Sequence, residues 1–332
     1  SFFEFHKCRD VWVSDKLIEA LGPRQNKDKP LGQRQFDIAA ALQQSVEEIG
    51  LNAARYLYKA TGSKNVCMAG GVSLNCVMNG RILKETEFEN IFVQPAAGDA
   101  GTAIGAALLH YYDENPKAPI GPRLEHSYHG PGYTDEDILE VLKRFPVKIT
   151  KPDNVGETTA SHLMEGKIIG WFQGHMEFGP RALGNRSILS APFPAQMKDI
   201  LNERVKHREW FRPFAPSILE EYLEDYFDYG HINPYMLLVY NTLDSKKSEI
   251  PATVHVDGTA RVQTVNKDQN PRYYNLIKEF QKKSGVPVIL NTSFNVQGEP
   301  VVCTPEDAVK CFLGTEIDVL VLGSYIIDSK ES

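Results

Sequence analysis

The stretch Gly174-His-Met-Glu-Phe-Gly-Pro-Arg-Ala-Leu-Gly-Asn-Arg-Ser-Ile-Leu189 gathers two arginines, an asparagine and a serine among turn-forming glycines and a proline. It offers almost no room for a packed core. Downstream, Val205-Lys-His-Arg-Glu-Trp-Phe-Arg-Pro-Phe-Ala215 sets Lys206, Arg208 and Arg212 among aromatic residues. Arginine presents planar forked donors that match phosphate or carboxylate oxygens, and lysine adds a compact point charge. The competing reading of Arg181, Arg186 and Arg208 is surface pairing with neighbours such as Glu177 and Glu209, which contributes roughly 0–1 kcal/mol. The Gly/Pro setting of Arg181 and the aromatic frame around Lys206 favour an anion, and a phosphate in particular.

Three more segments carry polar chemistry. Leu290-Asn-Thr-Ser-Phe-Asn295 runs from an apolar strand directly into Asn291, Thr292 and Ser293. Amides and hydroxyls there suit phosphate or carbamate oxygens, or else form an Asx or Ser/Thr turn. His255-Val-Asp-Gly-Thr-Ala-Arg261 adds another guanidinium, and His255 reads as a structural histidine rather than a catalyst. Gly70-Gly-Val-Ser-Leu-Asn75 follows a strand, so its glycine pair either lets backbone approach a ligand or makes a plain tight turn. In Pro95-Ala-Ala-Gly-Asp-Ala-Gly101, Asp99 could ligate a metal or hold a ribose, or could cap the helix that follows.

These segments need elements to hold them. Apolar residues at helical spacing predict a helix over 36–60, and Asn65–Ala69 and Asn90–Gln94 read as buried strands. A small-residue helix starts at Thr102. From Asp113 the chain turns Pro-, Gly- and charge-rich, which predicts a linker, and Thr134 then looks like an N-cap for a helix over 135–143. Strands are expected at 168–172, 236–240, 286–290 and 319–322, and helices near 196–205, 271–283 and 305–313. The organisation is α/β, with a first unit over 1–125, a linker over 126–150 and an α+β unit over 151–332.

Composition limits where such a site operates. The 42% hydrophobic and 24% charged content is that of an ordinary globular protein. Net charge is −7, so the cationic run is local, and bulk binding to nucleic acid or membrane surfaces is disfavoured. Cys8, Cys67, Cys76, Cys303 and Cys311 are odd in number and lack Cys-x-x-Cys spacing, which argues for reduced thiols in a cytoplasm. No apolar stretch approaches a membrane span. The opening Ser1-Phe-Phe-Glu-Phe5 lacks an initiator Met and reads as part of a longer chain.

Taken together, and in their order along the chain, the six motifs quoted above resemble the O-carbamoyltransferases of the nodulation-protein and antibiotic-tailoring type, over roughly residues 35–328. The resemblance implies the C-terminal half of an actin-like (ribonuclease-H-like) ATP- and metal-binding domain. An α+β domain follows, similar to the carbamoyl-adenylate-forming domain of tRNA threonylcarbamoylation enzymes. It implies that the second unit turns carbamoyl phosphate and ATP into carbamoyl adenylate. The first unit would pass the carbamoyl group to a hydroxyl of a small molecule, with iron (Fe2+) nearby and Mg2+ accompanying ATP.

By the same resemblance Arg181, Lys206, Arg261 and Ser293 grip the carbamoyl phosphate or adenylate, with Arg186, Arg208, Arg212, Asn291 and Thr292 around them. Gly70, Gly71 and Asn75 line the nucleotide, and Asp99 ligates the metal. The family's paired histidines have no counterpart here: there is no His-x-x-x-His, and His126 and His129 fall in the linker. The half-domain that supplies them is expected in the full-length protein or on a partner chain, and an exposed sheet edge would favour pairing into a homodimer. An RNA-binding module is the alternative from another class, disfavoured by the overall acidity. A sugar kinase or other actin-fold ATPase leaves the second unit's motifs without a use.

Overall fold

The computed structural model describes residues 13–26, 29–121 and 124–328. The opening Ser1–Phe5 run and Cys8 lie outside the described residues. Eleven strands are named in chain order among them: β1 (Asn65–Met68), β2 (Asn90–Val93), β3 (Ile169–Phe172), β4 (Arg186–Ser190), β5 (Ala215–Leu219), β6 (Val239–Asn241), β7 (Thr259–Arg261), β8 (Gln263–Val265), β9 (Val288–Ser293), β10 (Val319–Leu322) and β11 (Tyr325–Ile327).

In the first unit, β1 and β2 pair in parallel from Asn65↔Asn90 to Met68↔Val93. Parallel neighbours need a crossover. It is made by the Gly71–Leu74 turn and the helix Cys76–Glu85. The helix Gln33–Thr61 packs Leu51 and Ala54 inward, while the helix Thr102–Glu114 has no buried residue.

The second unit is built on a seven-stranded mixed sheet of order β11-β10-β3-β4-β9-β5-β8. Along β3 and β10 the side chains alternate between two cores. Ile169, Trp171, Val319 and Val321 meet the helices Val155–Met164 and Pro271–Ser284, which pack together on one face. Phe172, Leu320 and Leu322 meet Ile138, Leu142, Val309 and Phe312 from the helices Asp135–Leu142 and Pro305–Leu313 on the other. Burial on both faces is why Val319-Leu-Val-Leu322 is apolar throughout rather than alternating.

The two units share one core. Leu51, Met78 and Ile82 join the same apolar cluster as Leu223, Tyr226 and Tyr240. The Asn79 amide donates to the Leu237 carbonyl at 2.9 Å. A Cβ on Gly80 would lie 2.7 Å from the Val239 carbonyl oxygen, so only glycine lets the helix Cys76–Glu85 come so close to β6.

Most expected elements stand within a few residues of their positions. Thr134 caps its helix with a reciprocal Asp137 capping box. Four readings change. The strand Asn65–Met68, expected to be buried, buries only Val66 and leaves Asn65 and Cys67 exposed. The 126–150 stretch is not a free linker: Ser127 is buried, the helix Asp135–Leu142 seats Ile138 and Leu142 in the core, and Thr150 bridges to Ile326. Pro and Gly signalled irregular backbone there, and irregular backbone can still pack. The strand expected at 236–240 shrinks to β6, because Met236 takes a left-handed turn at φ 55°. Finally, Arg186–Ser190, taken as part of a coreless turn, is the fully buried strand β4 at the centre of the sheet.

Candidate functional site

The loop that carries Arg181 leaves β3 and returns as β4. Two glycines with positive φ bracket it, Gly179 at 142° and Gly184 at 101°. Each is also a close approach: a Cβ on Gly179 would meet the Pro95 carbonyl oxygen at 2.8 Å, and one on Gly184 the Tyr273 ring at 2.3 Å. The loop tip therefore lies against the first unit's Pro95 loop. From it the Arg181 guanidinium reaches the Leu74 carbonyl at 3.4 Å, beside the glycine turn.

Lys206 comes from a different element. The helix Met197–Leu201 widens into a π-helical turn over Asn202–Lys206, ended by His207 in the left-handed region. Such single wide turns recur at functional sites. Here the turn buries Lys206 to 4% exposure and points its ammonium at the end of β9. The ammonium donates to the Ser293 carbonyl (2.5 Å) and hydroxyl (3.3 Å) and to the Asn295 carbonyl (2.9 Å) and amide oxygen (3.0 Å). All four partners are neutral. Burial, followed by the charge of Arg208, pushes the Lys206 amine down to about 7.

The remaining cations form a run. Burial lowers the pKa of Arg181, and the Arg261 charge lowers it further; burial alone lowers that of Arg261. Arg208 feels burial first, then Arg212 and Arg261. Arg208 lies over the Phe214 ring and donates to the Asn202 amide oxygen at 2.7 Å. Among the described residues no salt bridge joins Arg181, Arg261, Arg208 or Lys206 to a carboxylate, and the Nε groups of Arg181 and Arg261 are buried without a partner. Arg212 is half-exposed and pairs with Glu209 at 2.8 Å. Like charges gathered out of water without counter-charges disfavour each other, and a bound anion relieves that.

Other expected residues are placed differently. Arg186 is 0% exposed: its guanidinium stacks 3.6 Å over Phe172 and donates to the carbonyls of Gln173, Gly174, Asn185 and Pro131. Both of its Nη groups are taken up by backbone carbonyls, which holds the loop's shape, while its Nε, like those of Arg181 and Arg261, is buried without a partner. Asn291 is likewise buried, its amide donating to Ala182, Ser217 and Gln263. Thr292, beside it on β9, is half-buried opposite Ile188. Asn75 caps the helix Cys76–Glu85 through Met78 N–H at 3.0 Å and pairs with Gln43. Gly70 takes φ 97°, and open space lies before both Gly70 and Gly71.

Asp99 is exposed and opens the short turn Asp99–Gly101 with no side-chain capping bond. Among the described residues no three His, Cys, Asp or Glu side chains gather as a metal cage. These donors alone do not fit an iron site. His126 and His129 lie ring to ring at 4.9 Å in the 124–131 segment. His255 accepts or donates at Thr259 within its own turn, a structural place.

Two residues escaped the sequence reading. Asn295 supplies two of the four oxygens on Lys206; it closed a quoted motif, and its position two residues past Ser293 was the available signal. Cys76 begins the helix next to Asn75 and lies near the guanidiniums of Arg181 and Arg261.

Two family models match this chain: Carbamoyltransferase N-terminus over residues 5–108 and Carbamoyltransferase C-terminus over 160–329. The chain belongs to the carbamoyltransferase family. An uncharacterized protein of Synechocystis sp. is 45% identical over 95% of the chain and 56% of its own length. Nodulation protein NolNO of Sinorhizobium fredii is 43% identical over 99% of the chain and 50% of its own length. Nodulation protein NolO of Bradyrhizobium diazoefficiens is 41% identical over 98% and 62%. The carbamoyltransferase chain thus spans about half the length of the curated relatives it matches. Full-length HypF in its phosphate- and nucleotide-bound form is a distant likeness, 18% identical at a TM-score of 0.37 over 71% of the chain and 36% of its own. All the cations of the site, from Arg181 to Arg261, fall within the C-terminal match. Among the described residues no helix is long and apolar enough to cross a membrane.

Proposed function

We propose that the cation run of this carbamoyltransferase chain binds carbamoyl phosphate and prepares its carbamoyl group for transfer to a hydroxyl. One observation carries the reading: Lys206, Arg208, Arg181 and Arg261 lie buried or half-buried, and among the described residues no carboxylate pairs with them. Carbamoyl phosphate is a small polyanion whose cleavage releases phosphate and concentrates charge on oxygen. Donors fixed in place before the reaction stabilise that charge without reorganising.

In the finer reading, water cleaves the bond between the carbamoyl group and phosphate, phosphate leaves, and the resulting carbamate oxygen attacks the α-phosphorus of ATP. Carbamoyl adenylate forms and pyrophosphate leaves. Arg181 and Arg261 would take the phosphate oxygens, Lys206 with Ser293 the carbamoyl end, and the open glycine turn at Gly70–Gly71 would admit the nucleotide. Arg181 supports a site shared by both units, since it reaches from one to a carbonyl of the other.

The first unit is then part of a larger actin-like domain. Among the described residues its parallel sheet has two strands, and Leu42, Ile49 and Tyr56, spaced by seven along the helix Gln33–Thr61, are 65%, 69% and 75% exposed. The other half of that domain, present in the longer relatives or on a partner chain, would cover this row and supply the metal ligands and most acceptor contacts. Incubation with ATP and carbamoyl phosphate tests the reading, with phosphate release assayed and carbamoyl adenylate sought by mass spectrometry. Release without adenylate would reject the adenylate step; neither product, together with no binding of carbamoyl phosphate, would reject the site.

A further inference from the structure

Glu177 is buried to 7% exposure four residues before Arg181. One of its oxygens accepts three backbone N–H groups, from Leu183 at 2.7 Å, Asn185 at 2.9 Å and Arg186 at 3.3 Å. Those amides all follow Arg181, so the side chain closes the loop on itself around that arginine. The carbonyls of the same segment are gathered separately: Ala182 by the Asn291 amide at 3.2 Å, and Leu183 by Tyr128 at 3.0 Å and Gln263 at 2.9 Å. No other described side chain collects the loop's amides in this way; the Ser187 hydroxyl takes only that of Gly184.

We infer that Glu177 is the positioning residue for Arg181: its carboxylate sets the loop between Gly179 and Gly184 so that the guanidinium crosses to Leu74 and stands beside Arg261. The choice of a carboxylate follows from the geometry. A single oxygen taking three donors needs the strongest acceptor a side chain offers, and a charged acceptor makes each bond about twice as strong as a neutral one. Burial raises the Glu177 carboxyl, and the amides and the Arg186 charge oppose that rise. Arg186 completes the arrangement from the other side by holding carbonyls at both ends of the loop.

The inference concerns the place of Arg181 and rests on the proposed carbamoyl phosphate site only where affinity is read. Labelling of intact protein with phenylglyoxal, with peptide mass spectrometry, reads Arg181 without any substrate. Loop opening in Glu177→Ala should raise labelling of Arg181 about tenfold while half-exposed Arg212 stays constant. Glu177→Gln keeps the amide-facing oxygen but not its charge and should fall between the parent and Glu177→Ala. If Glu177→Ala does not fold, Glu177→Asp, which withdraws the oxygen by one methylene, takes its place. Unchanged Arg181 labelling in a folded variant overturns the inference.

Calorimetric affinity for carbamoyl phosphate gives the second reading. Glu177→Ala should weaken binding about tenfold when Arg181 is present and not at all in an Arg181→Ala background, the non-additivity of residues acting as one. Additive losses would mean a general effect on stability and would overturn it. A parent chain that binds no carbamoyl phosphate would reject the proposed substrate, and the labelling result would still judge Glu177.

Discussion

The Lys206 ammonium donates to both the carbonyl and the hydroxyl of Ser293, joining a π-helical turn to the end of β9 across 87 residues of chain. Among the described residues, only neutral oxygens accept from this ammonium. A lysine so placed is ready to meet an anion.

Removing that charge should affect both binding and folding. Hydrogen bonds to charged groups contribute about 1.5–3 kcal/mol, so Lys206→Met should weaken carbamoyl phosphate binding by about 10- to 150-fold. Its melting temperature should fall, because the Ser293 and Asn295 oxygens lose their donor, with part of that loss offset by removal of a desolvated charge. Titration calorimetry beside thermal melts checks both; undiminished affinity would exclude Lys206 from the site.

Acidity gives an independent check on the same residue. Lys206 is cationic below its folded value of about 7 and neutral above it. Since kcat/KM follows ionisation in the free protein, it should fall as pH rises through about 7. Affinity for carbamoyl phosphate should fall in the same window. Lys206→Arg stays protonated, so its lower affinity should not show that step.

Arg181 and Arg261 repel each other without counter-charges. Either residue changed to alanine should leave the unliganded melting temperature unchanged or higher, while the stabilisation given by millimolar phosphate disappears. Retention of the full phosphate-induced shift in both variants would place the anion elsewhere.

Arg186 should behave in the opposite way. Its guanidinium serves four carbonyls inside the core, so Arg186→Lys loses the fork and Arg186→Ala leaves acceptors unpaired. Denaturant unfolding should show Arg186→Ala destabilised by about 3 kcal/mol or more. Stability equal to the parent would remove the structural role assigned to it.

Gly80 tests the seam between the units. Its missing Cβ is what lets the Val239 carbonyl approach, so Gly80→Ala should cost about 1–3 kcal/mol through backbone displacement. Proteolysis should then release the first unit earlier than the second.

Much of this was legible in the residues alone. Helix ends carried their own chemistry, as in Thr134 with Asp137 and in Thr304, Pro305 and Asp307. Buried strands such as Val319–Leu322 were apolar throughout because helices cover both faces. The cations were also visible as a group, because guanidiniums among glycines, prolines and aromatics have few other uses. What could not be read was the division of labour within one motif. Arg181 and Arg186 stand five apart with similar neighbours, yet one faces a seam and the other fills a core. Glu177 looked like a surface partner and is an internal acceptor for three amides.

The sequence by itself determined the family, the order of the elements and the set of side chains able to hold an anion, because these depend on residue type and short-range spacing. Tertiary structure alone decided which of those side chains stay open to a ligand. Burial and hydrogen-bond partners come from segments far apart in the chain, and only folding brings the Ser293 oxygens to Lys206, the Leu74 carbonyl to Arg181 and four carbonyls to Arg186.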